Sequence, residues 1–205
     1  MTLRFPALFF LLVLPCMVIT AQDSILLMNG RAIDCHILSD TSVVLQFQIT
    51  KKNGAVRTKE VHKNDIFSYT ISGKGEKILY MRDDMLGDIY SVDEMRIYMA
   101  GGNDARENFN ALPTAGVGFA VCAGVAYAGG DGLLTAFIPP IAYTCLQFIP
   151  RIKIREKAMS DPGYKHNDIY ADGFEPPARS RKVQAALKGG FAGAAAGVLL
   201  FLALN

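Results

Sequence analysis

The chain contains no tryptophan, only three histidines and four cysteines, and long stretches without a single charge. These scarcities limit its chemistry. One cysteine, Cys16, falls in the apolar N-terminal run; the other three, Cys35, Cys122 and Cys145, are odd in number and widely spaced, which is not a disulfide framework. Cys122 and Cys145 lie on two apolar segments expected to form a hairpin about Asp131. Their axial offset of roughly 7 Å at helical rise is too large for a bridge, so they read as small apolar packers. Cys35 and His36 are adjacent on a strand and point to opposite faces, so the pair cannot share a metal. His62 and Asp65 span a turn, and Asp83-Asp84 with Asp88 lacks the spacing of a calcium loop. No metal or cofactor is expected. No glycine-rich phosphate loop follows a strand, and no Gly-x-Ser-x-Gly turn presents a nucleophile. The expectation is a protein that is not an enzyme. Asp104-Ala105-Arg106 reads as an exposed charged face of a helix.

Charge is segregated. None lies between Glu107 and Asp131, between Asp131 and Arg151, or after Lys188. With 21 Lys and Arg against 19 Asp and Glu, the chain is near neutral, which argues against a nucleic-acid partner. Arg4, the apolar run Phe5–Ile19 and the small Thr20-Ala21 before Gln22-Asp23-Ser24 have the layout of a secretory signal peptide, residues 1–21, cleaved after Ala21. An uncleaved anchor is the other reading. Attachment through Cys16 is disfavoured because Pro15 precedes it.

Residues 22–90 read as a small β domain. Ile25–Met28 ends at Asn29-Gly30, a strong hairpin signal. In Arg31–Leu38, Ile33, Cys35 and Ile37 alternate with Asp34 and His36. Ser42–Thr50 puts Val43, Leu45, Phe47 and Ile49 on one face. Asn53-Gly54 turns into Ala55–His62, and Lys63-Asn64-Asp65 into Ile66–Ile71, with Phe67, Tyr69 and Ile71 inward. A further hairpin around Gly87 is expected from Glu76–Tyr80 and Asp88–Tyr90. Period-two alternation with a turn every 8–12 residues marks a small antiparallel barrel or sandwich. The five-strand pattern resembles the small Sm-like barrels, which implies a fold and no ligand. The expected class is α+β, a five-stranded Sm-like barrel with an amphipathic helix and glycine- and alanine-rich membrane helices.

Ser91-Val92-Asp93-Glu94 is a capping box. Behind it Met95, Tyr98, Met99, Gly102, Ala105 and Phe109 recur at helical spacing, an amphipathic helix within 91–110. It either packs on the barrel or lies along a membrane surface. Residues 111–150 follow as an apolar hairpin, the second arm kinked or broken at Pro139-Pro140. Residues 151–188 read as a basic polar loop, with nine Lys and Arg against five Asp and Glu. Residues 189–205 form a last apolar helix. Gly116, Ala120, Gly124 and Ala128 recur every four residues, as do Gly189, Gly193 and Gly197. Such stripes let helix backbones approach closely in lipid. A cleaved signal peptide and a crossing hairpin put the basic segment outside, against the positive-inside tendency. The second arm failing to cross, an outer-membrane location and an aggregated stem are three ways out.

As a whole, the layout resembles envelope proteins of Bacteroidetes-type bacteria that have no assigned activity. The features carrying this are the signal peptide, the Asp23, Asn29-Gly30, Ile37 opening, the Met95-Arg96 to Asp104-Ala105-Arg106 helix and the glycine-rich tail after a basic stretch. The resemblance implies a cell-envelope location. The expected role is a membrane-anchored interaction domain on the periplasmic side, with membrane lipid, itself or another envelope protein as partner. The alternative is a pore or transport-accessory component built from the glycine-striped helices.

Overall fold

The computed structural model describes residues 22–51, 53–83, 85, 87–129, 133–149 and 151–204, the backbone alone at 133–135. The expected signal peptide, Asp84 and the Gly130-Asp131-Gly132 turn lie outside these. Two units emerge, one holding the residues up to Leu26 with Ala32–Leu79, the other Leu27–Arg31 with Tyr80 onward.

In the first unit six strands form one sheet: β1 (Asp23–Leu27), β2 (Ala32–Asp40), β3 (Val44–Thr50), β4 (Val56–His62), β5 (Ile66–Ile71) and β6 (Gly75–Ile78). Their order is β4-β3-β2-β1-β5-β6. The expected five-stranded Sm-like barrel is therefore corrected to an open six-stranded antiparallel sheet. Two features keep it open. The unforeseen β6 pairs with β5, setting Ser68 opposite Ile78 and Ile71 opposite Gly75. At the other end, β4 shows Val56, Arg57, Thr58, Lys59 and Glu60 exposed in succession, so it has no apolar face to roll onto the core. In place of the hairpin expected about Gly87, Asp83 and Asp88 make one isolated bridge.

Alternation sets the core. Ile25, Cys35, Leu45, Phe47 and Phe67 are buried, while His36 is outward with its side chain 75% exposed. Val43, expected inward, is exposed because β3 begins only at Val44. The β3–β4 turn needs Gly54 at φ +77°, a left-handed conformation that costs glycine nothing. Two carboxylates tie strands together. Asp23 accepts backbone N–H groups from Ile37 at 3.0 Å and Ser72 at 2.7 Å, and these hold it below the usual carboxylate range. Asp40 accepts from Lys63 at 2.5 Å and from the Tyr69 hydroxyl at 2.6 Å, which bring it down to about 2.

The second unit is helical: α1 (Val92–Asn108), α2 (Leu112–Ala128), α3 (Leu133–Leu146) and α4 (Asp168–Leu204). The capping box opens α1 with both of its bonds, Glu94 N–H to Ser91 Oγ and Ser91 N–H to the Glu94 carboxylate. Met95, Met99, Gly102 and Ala105 are its buried face. That face meets α4: a Cβ on Gly173 would lie 1.9 Å from the Tyr98 carbonyl oxygen, and one on Gly101 2.2 Å from that of Tyr170. Within the same unit the turn at Leu27–Arg31 docks on α1, where Asn103 Nδ2 donates to the Gly30 carbonyl at 2.6 Å.

The 37-residue α4 overturns the second half of the loop expected over 151–188, from Asp168 on, while 151–167 hold only coil and two short 3-10 turns. Asn167 caps it, its side chain accepting from the Tyr170 N–H at 3.1 Å. Pro176 and Pro177 sit inside it. Each removes a helical hydrogen bond, at about 3 kcal/mol. Burial of Tyr170, Phe174 and Ala178 on either side holds the helix through them. Likewise α3 continues through Pro139 and Pro140, where a kink or a break was expected, so of the two the break is excluded.

Candidate functional site

Alpha-helical packing positions the site. Cβ atoms on Gly189, Gly193 and Gly197 would lie 2.2, 2.2 and 2.4 Å from the carbonyl oxygens of Ala115, Phe119 and Ala123. Each advance of four residues on α4 matches four on α2, so the helices run parallel. On α3 the order reverses: Phe137 meets Phe191, Pro140 meets Gly190, and the Phe148 carbonyl accepts from Arg179. Hence α3 is antiparallel to both. The basic segment after α3 thus lies at the end where α2 begins and α4 turns apolar.

The two sequence stripes fare differently. Gly189, Gly193 and Gly197 are buried at the α2 contact. Gly116, Ala120, Gly124 and Ala128 are all exposed, and a Cβ on Gly116 or Gly124 would meet nothing within 4 Å. The face of α2 that packs in this chain carries Ala115, Gly118, Cys122 and Ala126 instead. Within this chain, then, the stripe on α4 lies at a helix contact and the stripe on α2 does not, Gly and Ala occupying both faces of α2. Cys122 is buried and Cys145 exposed, and both are free.

Asp104 also corrects the sequence reading. It is not on an exposed face but 6% exposed, and its Oδ2 accepts from Ser160 N–H at 2.8 Å, Ser160 Oγ at 2.8 Å and the Tyr170 hydroxyl at 2.6 Å. Burial first, and then this bond, raise the Tyr170 hydroxyl well above its usual range. Arg106 is likewise engaged, donating to the Asn29 carbonyl. The Asp104 bonds tie α1, the 151–167 segment and α4 together, and the Arg106 bond ties α1 to the Leu27–Arg31 turn.

The segment itself is extended. Ile152 and Ile154 turn inward onto the Tyr170–Phe174 cluster, while Arg151, Lys153 and Arg155 alternate outward. With Lys157 and Lys182 they line a recess of about 440 Å³, walled by Phe109, Pro113 and Ile152 and edged by Asn108, Asn110 and Thr114. Among the described residues none of the five cations has an acidic partner or a side-chain hydrogen bond. Elsewhere in the unit Lys165 pairs with Glu156 and Arg179 with Glu175. The five thus form an unneutralised positive cleft, suited to a phosphate or carboxylate. Its signal in the sequence was the alternation Arg151-Ile152-Lys153-Ile154-Arg155, which reads as an extended strip with one apolar and one cationic edge.

A second recess of about 400 Å³ is lined by Asp23, Cys35, His36 and Ser72. Burial, aided by the charges of Asp23 and Asp34, pushes the Cys35 thiol up to about 11, which keeps it protonated at neutral pH. His36 Nδ1 lies 3.2 Å from Asp23 Oδ2. No group of three or more His, Cys, Asp or Glu suited to a metal occurs among the described residues.

By length and composition α4 can cross a bilayer, with a mean hydropathy of 1.8 over its most apolar stretch. Helices α1 and α2, bent by 51°, pass the same test as a pair. Compared with known protein families, curated proteins and solved structures, the chain shows no match.

Proposed function

We propose that the protein is a non-enzymatic, membrane-anchored envelope protein that presents its β unit as an interaction domain outside the cytoplasm. The observation that carries the anchor is the outer surface of the helices. Val117, Val121 and Val125 on α2, Ile138 and Ile141 on α3 and Leu199 on α4 are exposed. No charged residue occurs in α2, α3 or the part of α4 after Lys188. Apolar side chains in such number face lipid at low cost and face water at about 25 cal/mol per Å².

Support for an interaction role comes from the sheet. Its end strands β4 and β6 each leave one edge without a strand partner among the described residues, and such edges accept an added strand. Export rests on Arg4 and the apolar run after it.

Alkaline carbonate washing of membranes, followed by flotation, tests the anchor. The chain should remain with the lipid. Complete release into the wash would refute the membrane reading. Labelling of Ser160→Cys with an impermeant reagent, in a Cys35→Ser/Cys145→Ser background that removes the exposed native thiol, tests the side. Intact spheroplasts should be labelled, and labelling only after lysis would put the basic segment in the cytoplasm.

A further inference from the structure

We infer that the cleft formed by Arg151, Lys153, Arg155, Lys157 and Lys182 binds the phosphate-bearing headgroup of an anionic membrane lipid. This rests on the membrane reading above and adds a ligand to it. Three observations converge.

The first is charge. Five cations border one recess and, among the described residues, none is paired, although Lys165 and Arg179 nearby both are. Like charges gathered in this way repel, and a bound anion relieves the repulsion. Arg151 and Arg155 bring planar forks that match two phosphate oxygens, while the three lysines act as point charges.

The second is rigidity. The cation-bearing strip is held from behind by Ile152 and Ile154 in the apolar cluster and by Ser160 on the buried Asp104. Lys182 is carried by α4. The charges are therefore placed before a ligand arrives.

The third is location. Pro113 and Thr114, in the first turn of uncharged α2, form part of the wall, together with Phe109 and Ile152. A headgroup seated in the cleft would leave its acyl chains along the exposed Val117 and Val121 face of α2. A free phosphate would use the cations and leave the apolar wall without purpose. Basic pockets beside membrane helices are a recurring means of holding anionic headgroups.

The test uses the full chain in a neutral detergent, titrated with phosphatidylglycerol or with phosphatidylcholine and read by native mass spectrometry. Phosphatidylglycerol should be retained in preference to phosphatidylcholine. The variant Arg151→Gln/Lys153→Gln/Arg155→Gln should lose about tenfold or more of that preference, and Arg57→Gln/Lys59→Gln on β4 should keep it. If the triple variant misfolds by circular dichroism, the single variants Arg155→Gln and Lys182→Gln, each expected to weaken retention several-fold, decide the matter. Equal retention of the two lipids, or a preference that survives these substitutions, would overturn the inference. So would displacement of phosphatidylglycerol by equimolar inorganic phosphate, which would mark a free-anion site. Flotation with pure phosphatidylcholine vesicles separates the two levels: a chain that floats without lipid preference refutes the headgroup site alone, and one that does not float refutes the anchor and the inference with it.

Discussion

Adding one methyl group to α4 or to α2 should have opposite effects at two glycines. At Gly193 a Cβ would lie 2.2 Å from the Phe119 carbonyl oxygen, 2.7 Å from its Cα and 2.8 Å from its carbonyl carbon. All three are backbone atoms, so no side chain can rotate away, and the helices must separate by about 1 Å to restore ordinary contact. The neighbouring cluster of Cys122, Ala126 and Ala194 would loosen with them. Overpacking of this kind costs about 1–3 kcal/mol. Alanine recovers up to about 1 kcal/mol of helix propensity. The net loss for Gly193→Ala should be about 1–2 kcal/mol, the range of small-residue helix contacts in membranes. Gly124 sits in the equivalent sequence stripe, yet a Cβ there meets nothing within 4 Å. Gly124→Ala should therefore be neutral or stabilising by a few tenths of a kcal/mol. The assay is unfolding of the purified chain by sodium dodecyl sulfate in mixed micelles, followed by far-ultraviolet circular dichroism. Disulfide formation between Cys122 and Gly190→Cys, in a Cys35→Ser/Cys145→Ser background, serves as a second readout, since a Cβ at 190 lies 3.4 Å from Cys122 Sγ. Equal destabilisation by the two alanines, or unchanged stability and crosslinking in Gly193→Ala, would refute the packing argument.

Asp104→Ala strips three donors of their acceptor, and at about 1–3 kcal/mol for a buried orphan the total loss should reach about 2–4 kcal/mol by chemical denaturation. Limited proteolysis should then cut first within residues 156–166. The Asp40 carboxyl is depressed from 3.8 to about 2, so its contribution is complete above pH 3.8 and fades as pH falls through about 2. Melting temperature should drop across that window, more steeply for the parent than for Asp40→Asn. Cys35, buried and with its thiol at about 11, should resist maleimide at neutral pH and react fully once the chain is denatured. Rapid labelling of the folded chain would contradict its place in the core.

Much of this protein was legible from local pattern. The alternation of Leu45 with Gln46 and Phe47, the turn at Asn53-Gly54 and the box Ser91 to Glu94 each depend on neighbours a few residues away. Strand starts and the first turn of α1 fell close to their expected places for that reason. Cys35 inward and His36 outward follow from the pleat alone. Tertiary structure decided what distant partners decide. Whether five strands close depends on what occupies the free edge of β5, and Gly75–Ile78 occupies it. Pro176-Pro177 reads as a loop until Tyr170, Phe174 and Ala178 are seen buried around it. Asp104 looked solvated because Ser160 and Tyr170, its partners, lie more than fifty residues away in the chain. Which face of α2 meets α4 was not legible because glycine and alanine are small on every face, so composition cannot tell a contact from open space. The cationic cleft needed both: the alternation of Arg151 to Arg155 is written in the sequence, but only the return of α3 brings that strip beside Pro113 and Lys182.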